Sequence, residues 1–353
     1  MTPSDVQQPL RIGGVEMPSR VFLAPLAGYT SLAFRLIARE LGGLGLATTD
    51  LVNARSLLEE RRRAFELIET CPEDRPLAVQ IYGPVKEELC AAAQMLEARG
   101  VSIIDLNMGC PARKVVRGGG GSAMMRDTCG TVALVHALVE SVKVPVTVKM
   151  RLGWDDANIT APFFAREFEQ AGVAAITIHG RTREQGFGGS VNRAGIRAVV
   201  EAVQRIPIIG NGDIRTVEDA RMMFAETGCA AVGIGRGGLL NPWIFRQCEA
   251  ELVRGEKLTP PAYEERVDFM ARHFEKLMAR RTEKVACVLF RKIAKWYGIA
   301  LRVPRPMRHR LVMIKDAAEF RGLMAELRAT KPPTAVPGRE PHIPVPSGPN
   351  ARW

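Results

Sequence analysis

The chain has 353 residues, 46% of them apolar, and a formal net charge of +11, which allows one large folded domain and a smaller one beside it. Seven cysteines, an odd number without the paired short spacings of a metal ribbon, exclude a disulfide framework or zinc module and fit reduced thiols, so no metal is expected. Asp5, Pro3 and Pro9 stand where a signal peptide needs an apolar core, and no apolar run approaches a membrane span, so the expectation is a soluble cytoplasmic protein with no membrane partner.

Residues 1–19 read as an irregular lead-in, with Gly13, Gly14 and Pro18 as turn signals. A strand-then-helix rhythm begins at Val21. The run Val21-Phe-Leu-Ala24 stops at Pro25, and Ser31 is placed to cap a helix that runs to Leu41 and ends at Gly42-Gly43. Further strands are predicted at 45–49, 77–82, 102–107, 146–150, 174–179, 206–209 and 230–234, with helix-length segments between them. Eight such units match the alternation of a (β/α)8 TIM barrel, with a doubly wound open sheet as the competitor. The barrel is favoured because polar or reactive residues recur at the strands' C-terminal ends. Gln80, Asn107, Lys149 with Arg151, His179 with Arg181, and Asn211 would converge on one mouth in a barrel but spread along an edge in an open sheet. The predicted organisation is an α/β barrel domain over 20–253 and a helical domain over 254–330.

The fourth of these strands ends in Asp105-Leu-Asn-Met-Gly-Cys-Pro-Ala-Arg113, which displays Cys110 where Gly109 and Pro111 break the run. A free thiol, with a pKa of about 8.5, donates a proton when protonated and attacks when not. A buried packing cysteine is the ordinary alternative. Lys149 ends an apolar strand, which is costly unless an anion faces it, either a structural carboxylate or a bound ligand. After the seventh and eighth strands come Gly210-Asn-Gly-Asp213 and Gly233-Ile-Gly-Arg-Gly-Gly238. Barrels hold phosphate at these two loops through backbone N–H groups, and Arg236 would add charge-assisted bonds.

Between Arg254 and Thr330 the chain carries 18 Lys or Arg against 9 Asp or Glu, and Lys284 to Lys315 holds nine basic residues and no acidic one. A solvated face usually mixes signs, so a one-sign field of this size fits a polyanion. Only helical periodicity runs through this region. Val285, Val288, Leu289, Ile293 and Trp296 are expected to form a buried stripe, flanked by Lys284, Arg291 and Lys295. The last stretch, 331–353, holds seven prolines and reads as an extended tail without assigned function.

Taken together, Ala24-Pro-Leu-Ala-Gly28, Asn107-Met-Gly-Cys-Pro111, Val148-Lys-Met-Arg-Leu-Gly-Trp154, Ile178-His-Gly-Arg-Thr-Arg183, Asn211-Gly-Asp213 and Gly235-Arg-Gly237 resemble the tRNA-dihydrouridine synthase family, in particular its bacterial B-type branch. The segment Phe290-Arg-Lys-Ile-Ala-Lys-Trp-Tyr297 is similar to that family's C-terminal tRNA-binding domain. The resemblance implies FMN in the barrel mouth, NADPH as reductant, and reduction of the C5–C6 double bond of a tRNA uridine. It makes Cys110 the general acid that protonates C5 after hydride reaches C6. It makes Pro25, Ala27, Gln80, Asn107, Lys149, His179, Asn211, Asp213, Gly235 and Arg236 cofactor contacts. Arg181 and Arg183 would orient the base, and Lys284, Arg291, Lys292 and Lys295 would grip phosphates. The loop Val115 to Ser122, rich in glycine, has the flexibility to close over a base. Two departures stand out: Ile293 replaces a frequent His, and Ser190-Val-Asn-Arg-Ala-Gly195 replaces an acidic-aromatic segment. An FMN barrel acting on a small molecule and a non-catalytic RNA-binding barrel are the rivals. A monomer is expected.

Overall fold

A computed structural model describes residues 9–330 of the chain. The reading of 331–353 as an extended tail lies outside the described residues, as does the start of the lead-in.

Eight parallel strands close into a barrel: β3 (Val21–Leu23), β4 (Leu46–Thr48), β6 (Leu77–Tyr82), β7 (Ile103–Met108), β8 (Val146–Arg151), β9 (Ala175–His179), β10 (Ile208–Asn211) and β11 (Ala231–Ile234). Each pairs with its neighbour, β11 returns to β3, and β4 bonds directly to β6. A two-residue strand, β5 (Val52–Asn53), runs alongside the top of β6. The open-sheet competitor is excluded by this closure.

The strands are buried on both faces, which is why they read as short apolar runs rather than alternations. Alternation survives in what each residue faces. On β7, Ile104, Leu106 and Met108 pack outward against helices, while Ile103, Asp105 and Asn107 face the barrel axis. The barrel interior grades from apolar at the base, through Asp105, Thr147 and Thr177, to a charged mouth.

The base is closed by an element that the lead-in reading lacks. Strands β1 (Leu10–Ile12) and β2 (Val15–Met17) form a hairpin with Gly13-Gly14 as its turn. Leu10, Ile12 and Met17 cover Phe22, Leu46, Ala78, Ile103 and Ile209 at the barrel floor. Each strand is three residues long, too short for periodicity to show.

The helix predicted after Ser31 spans Leu32–Glu40, with Ser31 at the N-cap position but its hydroxyl making no cap bond. Beyond the barrel, four helices follow: Tyr263–Met278, Glu283–Ala300, Arg305–Met313 and Ala317–Ala329. Phe274, Phe290 and Phe320 meet at their centre, with Phe274 and Phe320 stacked at 4.1 Å between centroids. The expected stripe on Glu283–Ala300 is out of phase: Ile293 and Trp296 are buried, but Val285 and Val288 are 42% and 48% exposed. The buried face instead runs through Ala286, Phe290, Ala294 and Tyr297. Small residues at Ala286, Ala294 and Gly298 permit close helix packing there, so the neighbours cover that side. This helix also abuts the barrel, where Trp296 lies edge-on to Tyr29 at 6.1 Å.

Candidate active site

The C-terminal mouth of the barrel opens into a cavity of about 1190 Å³. Register places the polar strand ends side by side: Asn107 pairs with Lys149, Arg151 with His179, and His179 with Asn211. Pro25 and Ala27 from the loop after β3, together with Gln80, Asn107, Cys110, Lys149, His179, Arg181, Asn211, Asp213, Gly235 and Arg236, all line this one cavity. Trp296 reaches it from the helical region, and Arg113, Lys114 and Arg117 line its rim.

Cys110 is held mainly through its backbone, and its thiol meets the Ala112 N–H. Its N–H donates to Asn107 Oδ1 at 3.0 Å, and its carbonyl accepts from both the N–H and the hydroxyl of Ser122 at 3.1 Å. Arg151 Nε donates to the preceding carbonyl of Gly109 at 2.8 Å. These bonds also answer the expectation of a closing glycine loop. Residues 113–117 are helical, 121–126 form a 3-10 turn, and Ser122 ties the segment to Cys110, so the segment is folded against the thiol-bearing loop. Burial raises the Cys110 thiol above its ordinary value, outweighing the opposing pull of the Ala112 N–H, Arg151 and Lys149. At neutral pH it is a protonated donor.

Cations dominate the rest of the mouth. Lys149 Nζ donates to Asn211 Oδ1 at 3.0 Å, and Arg151 donates to the carbonyls of Gly109, Thr182 and Gly186; among the described residues neither has a carboxylate within 4 Å. Desolvation, with Arg151 adding repulsion, brings Lys149 down to about 8; desolvation also brings Arg151 down to about 9. His179 is held well below its ordinary value by burial and then by Arg151 and Lys149, so its ring is neutral. Arg181 Nη1 lies 3.4 Å from His179 Nε2 and can only donate, a pairing that favours the ring proton on Nδ1. Partly or fully desolvated cations are expensive in such a cavity, and Asp105 offsets only part of the cost at Lys149.

The loops after β10 and β11 suit a phosphate. Gly212 has φ +121°, and a Cβ there would lie 2.8 Å from the His179 ring; a Cβ on Gly237 would lie 2.2 Å from the Ile214 carbonyl. Only glycine allows these backbones to approach so closely. Asp213 itself adopts φ +52° and receives Arg181 through both carboxylate oxygens.

Three expected substrate contacts are placed differently. Arg181 is 2% exposed, and its guanidinium donates to Asp213 and to the carbonyls of Gly188 and Gly189. With all five N–H groups directed at protein acceptors, it braces the 186–190 loop and has none left for a base. Arg183 lies outside the cavity lining, stacked over Trp154 at 4.5 Å. Arg291 donates through Nε and Nη2 to the Ile314 carbonyl, tying two helices together. Lys284, Lys292 and Lys295, by contrast, are exposed on the helix beside the mouth. Sequence reasoning missed Phe187, which lines the cavity with Arg151 and Arg236 set 5.1 and 5.3 Å from its ring centroid. Its aromatic ring in a glycine-rich stretch was the one signal available.

A closed barrel whose mouth gathers a thiol, several cations and glycine-lined loops after its last two strands defines a TIM-barrel protein with its candidate site at the C-terminal end of the strands. Its fold is shared with histamine dehydrogenase from Rhizobium sp. 4-9, at a TM-score of 0.53 and 13% identity over 78% of this chain and 51% of that one. The family described as Dihydrouridine synthase (Dus) matches residues 22–331. A probable tRNA-dihydrouridine synthase of Rickettsia conorii is 38% identical over 89% of this chain and 90% of its own length. A tRNA-dihydrouridine synthase B of Xanthomonas axonopodis pv. citri is 38% identical over 82% of this chain and 86% of its own. The chain belongs to the dihydrouridine synthase family.

Proposed function

We propose that this protein reduces a uridine of tRNA to 5,6-dihydrouridine, using FMN and NADPH, with Cys110 as the general acid. The observation that carries the reading is the placing of Cys110 in one cavity lining with His179 and the cations Lys149, Arg151 and Arg236, a thiol among groups that suit an anionic cofactor. FMN would be held by Pro25 and Ala27, by Lys149, His179 and Asn211, and at its phosphate by the loop backbone around Asp213 and Gly235 together with Arg236, the Asp213 carboxylate being taken by Arg181. When bound and reduced by NADPH, it supplies a hydride to uracil C6. Uracil C6 is the β-carbon of a conjugated carbonyl, so C5 must then be protonated, and Cys110 Sγ gives up that proton. Lys149 stabilises negative charge on the cofactor side of the cavity. Gln80 and Asn107 would offer their neutral amides to the cofactor from the cavity wall, and Asn107 also holds the Cys110 loop through the N–H groups of Gly109 and Cys110.

A uridine stacked within folded RNA has to be turned out to enter the mouth. Lys284, Lys292 and Lys295 on one side and Arg113, Lys114 and Arg117 on the other would hold the phosphates around it. Six phosphate contacts predict that the logarithm of the association constant falls against log salt with a slope of roughly −4 to −5, measured by filter binding from low to physiological salt. A near-flat response removes the basic grip from the proposal. The protein is proposed to work as a cytoplasmic monomer; among the described residues no helix is long and apolar enough to cross a membrane.

The direct test is nucleoside mass spectrometry on tRNA lacking dihydrouridine after incubation with the purified protein, FMN and NADPH. Dihydrouridine is the expected product. NADPH oxidation by flavin-loaded protein without that product points to a small-molecule reductase.

A further inference from the structure

The side chains under Cys110 form a single polar chain that begins deep in the barrel. Asp105 lies inside the barrel at 4% exposure, and its two carboxylate oxygens have different partners: Thr147 Oγ1 donates to one and Gln80 Nε2 to the other, each at 2.7 Å. Gln80 Oε1 in turn accepts from Asn107 Nδ2 at 2.7 Å, and Asn107 Oδ1 accepts from the N–H of Cys110 at 3.0 Å and of Gly109 at 3.3 Å. An amide has one accepting and one donating end, so a chain of amides can run in either sense unless something sets it. An ionised carboxylate only accepts. Asp105 therefore turns the nitrogen of Gln80 inward and its oxygen outward, which turns the nitrogen of Asn107 toward Gln80 and its oxygen toward Cys110.

This carboxylate is desolvated inside the barrel. Its nearest charged neighbour is Lys149 on the adjoining strand, and burial drives it up to about 6, the mark of a group that would rather be neutral. A charge retained at such a cost is explained by what it orders.

We propose that Asp105 and Gln80 are positioning residues for the reaction, setting the sense of the amide chain that holds Cys110 at its working place. The proposal rests on the reading of Cys110 as the acid. If the chain runs the other way, Asn107 presents N–H groups to the N–H groups of Gly109 and Cys110, and the loop carrying the thiol must move. A displacement of about 1 Å in a reacting group costs on the order of 100-fold in rate.

Three single variants and one double variant test it. Asp105→Leu removes the fixed acceptor, and Gln80→Leu breaks the chain in the middle. Asp105→Asn keeps an oxygen for Gln80 while its nitrogen donates to Thr147, and at the other end the N–H groups of Gly109 and Cys110 still require the Asn107 oxygen, so an unbroken chain retains its sense. Turnover of tRNA is expected to fall about 10- to 100-fold in both leucine variants with KM for tRNA little changed, to stay within about threefold of wild type in Asp105→Asn, and to fall no further in the double leucine variant than in either single one. The second readout needs no turnover: the rate of Cys110 alkylation by iodoacetamide against pH, followed by peptide mass spectrometry in protein without cofactor. Both leucine variants should shift that profile alike, and Asp105→Asn should reproduce the wild-type profile. Thermal melting in parallel separates positioning from support, because Asp105→Leu removes a desolvated charge but leaves Thr147 Oγ1 and Gln80 Nε2 without their acceptor, so the two effects offset and little net change in melting temperature is expected. Wild-type alkylation in Asp105→Leu, or additive losses in the double variant, overturns the proposal. A wild-type protein that makes no dihydrouridine overturns the functional reading instead, while the alkylation series still decides whether the chain holds Cys110.

Discussion

Replacing Cys110 by alanine is expected to lower dihydrouridine formation by about 10²- to 10⁴-fold, the usual contribution of a positioned general acid. The protein should remain folded and able to bind FMN. The reason is local: the Cys110 backbone is fixed by Asn107 and Ser122 on either side, and neither bond involves the sulfur. Serine at 110 keeps the size of the side chain but offers a much weaker acid, so it should fall near alanine rather than near wild type. The pH profile carries a second signature. Burial raises the thiol, so its protonated form extends further to alkaline pH than a free cysteine would allow, and activity limited by this acid is lost only as pH climbs through that raised value. Single-turnover assays across pH, monitored by nucleoside mass spectrometry, read both effects. Full activity in the alanine variant would remove Cys110 from the chemistry and leave the cavity to some other proton donor.

Much of this site was legible because barrel geometry converts sequence position into location. Lys149, His179 and Asn211 stand at predicted strand ends, and the closed barrel brings all three into one cavity. What could not be read was the partner of each side chain. Arg181 follows His179 in an exposed-looking Gly-Arg-Thr-Arg turn, yet its partner Asp213 lies 32 residues later on the next loop. Asp105 sits mid-strand, where nothing in the pattern distinguishes a packing position from the root of a hydrogen-bond chain. The helix Glu283–Ala300 shows the same limit in a different form. Apolar residues occur around more than one face, so periodicity alone does not say which face the neighbouring helices cover, and Val285 and Val288 proved to be on the uncovered one. The basic surface survives that rotation, since Lys284, Lys292 and Lys295 remain exposed.

Exchanging Lys149 for methionine is expected to make the protein without cofactor more stable and less able to take up FMN, two effects of opposite sign from one buried charge. Lys149 is brought from its ordinary 10.5 to about 8 by desolvation and by Arg151. A folded value below the unfolded one means that the charge opposes folding. The cost applies in full at pH 7, below both values, and fades as pH rises from about 8 toward 10.5. Its size follows from the shift as about 3 kcal/mol, offset by about 1 kcal/mol for the bond that Asn211 Oδ1 loses. A net gain of about 2 kcal/mol remains, which is a few degrees of melting temperature in a chain of this size. Methionine fills nearly the same volume without a charge, so packing should not reverse the sign. The wild-type protein should narrow the gap as pH rises through that window, because deprotonation does there what the substitution does at neutral pH. FMN reverses the ranking. With Lys149 gone the anionic cofactor loses a desolvated cation, and a loss of about 2 kcal/mol or more weakens binding by about 30-fold. Melting curves with and without FMN, together with flavin fluorescence titrations, measure both quantities on the same samples. A methionine variant that is less stable without FMN and binds it normally would mean that Lys149 serves the fold, and the cationic cavity would no longer argue for an anionic cofactor.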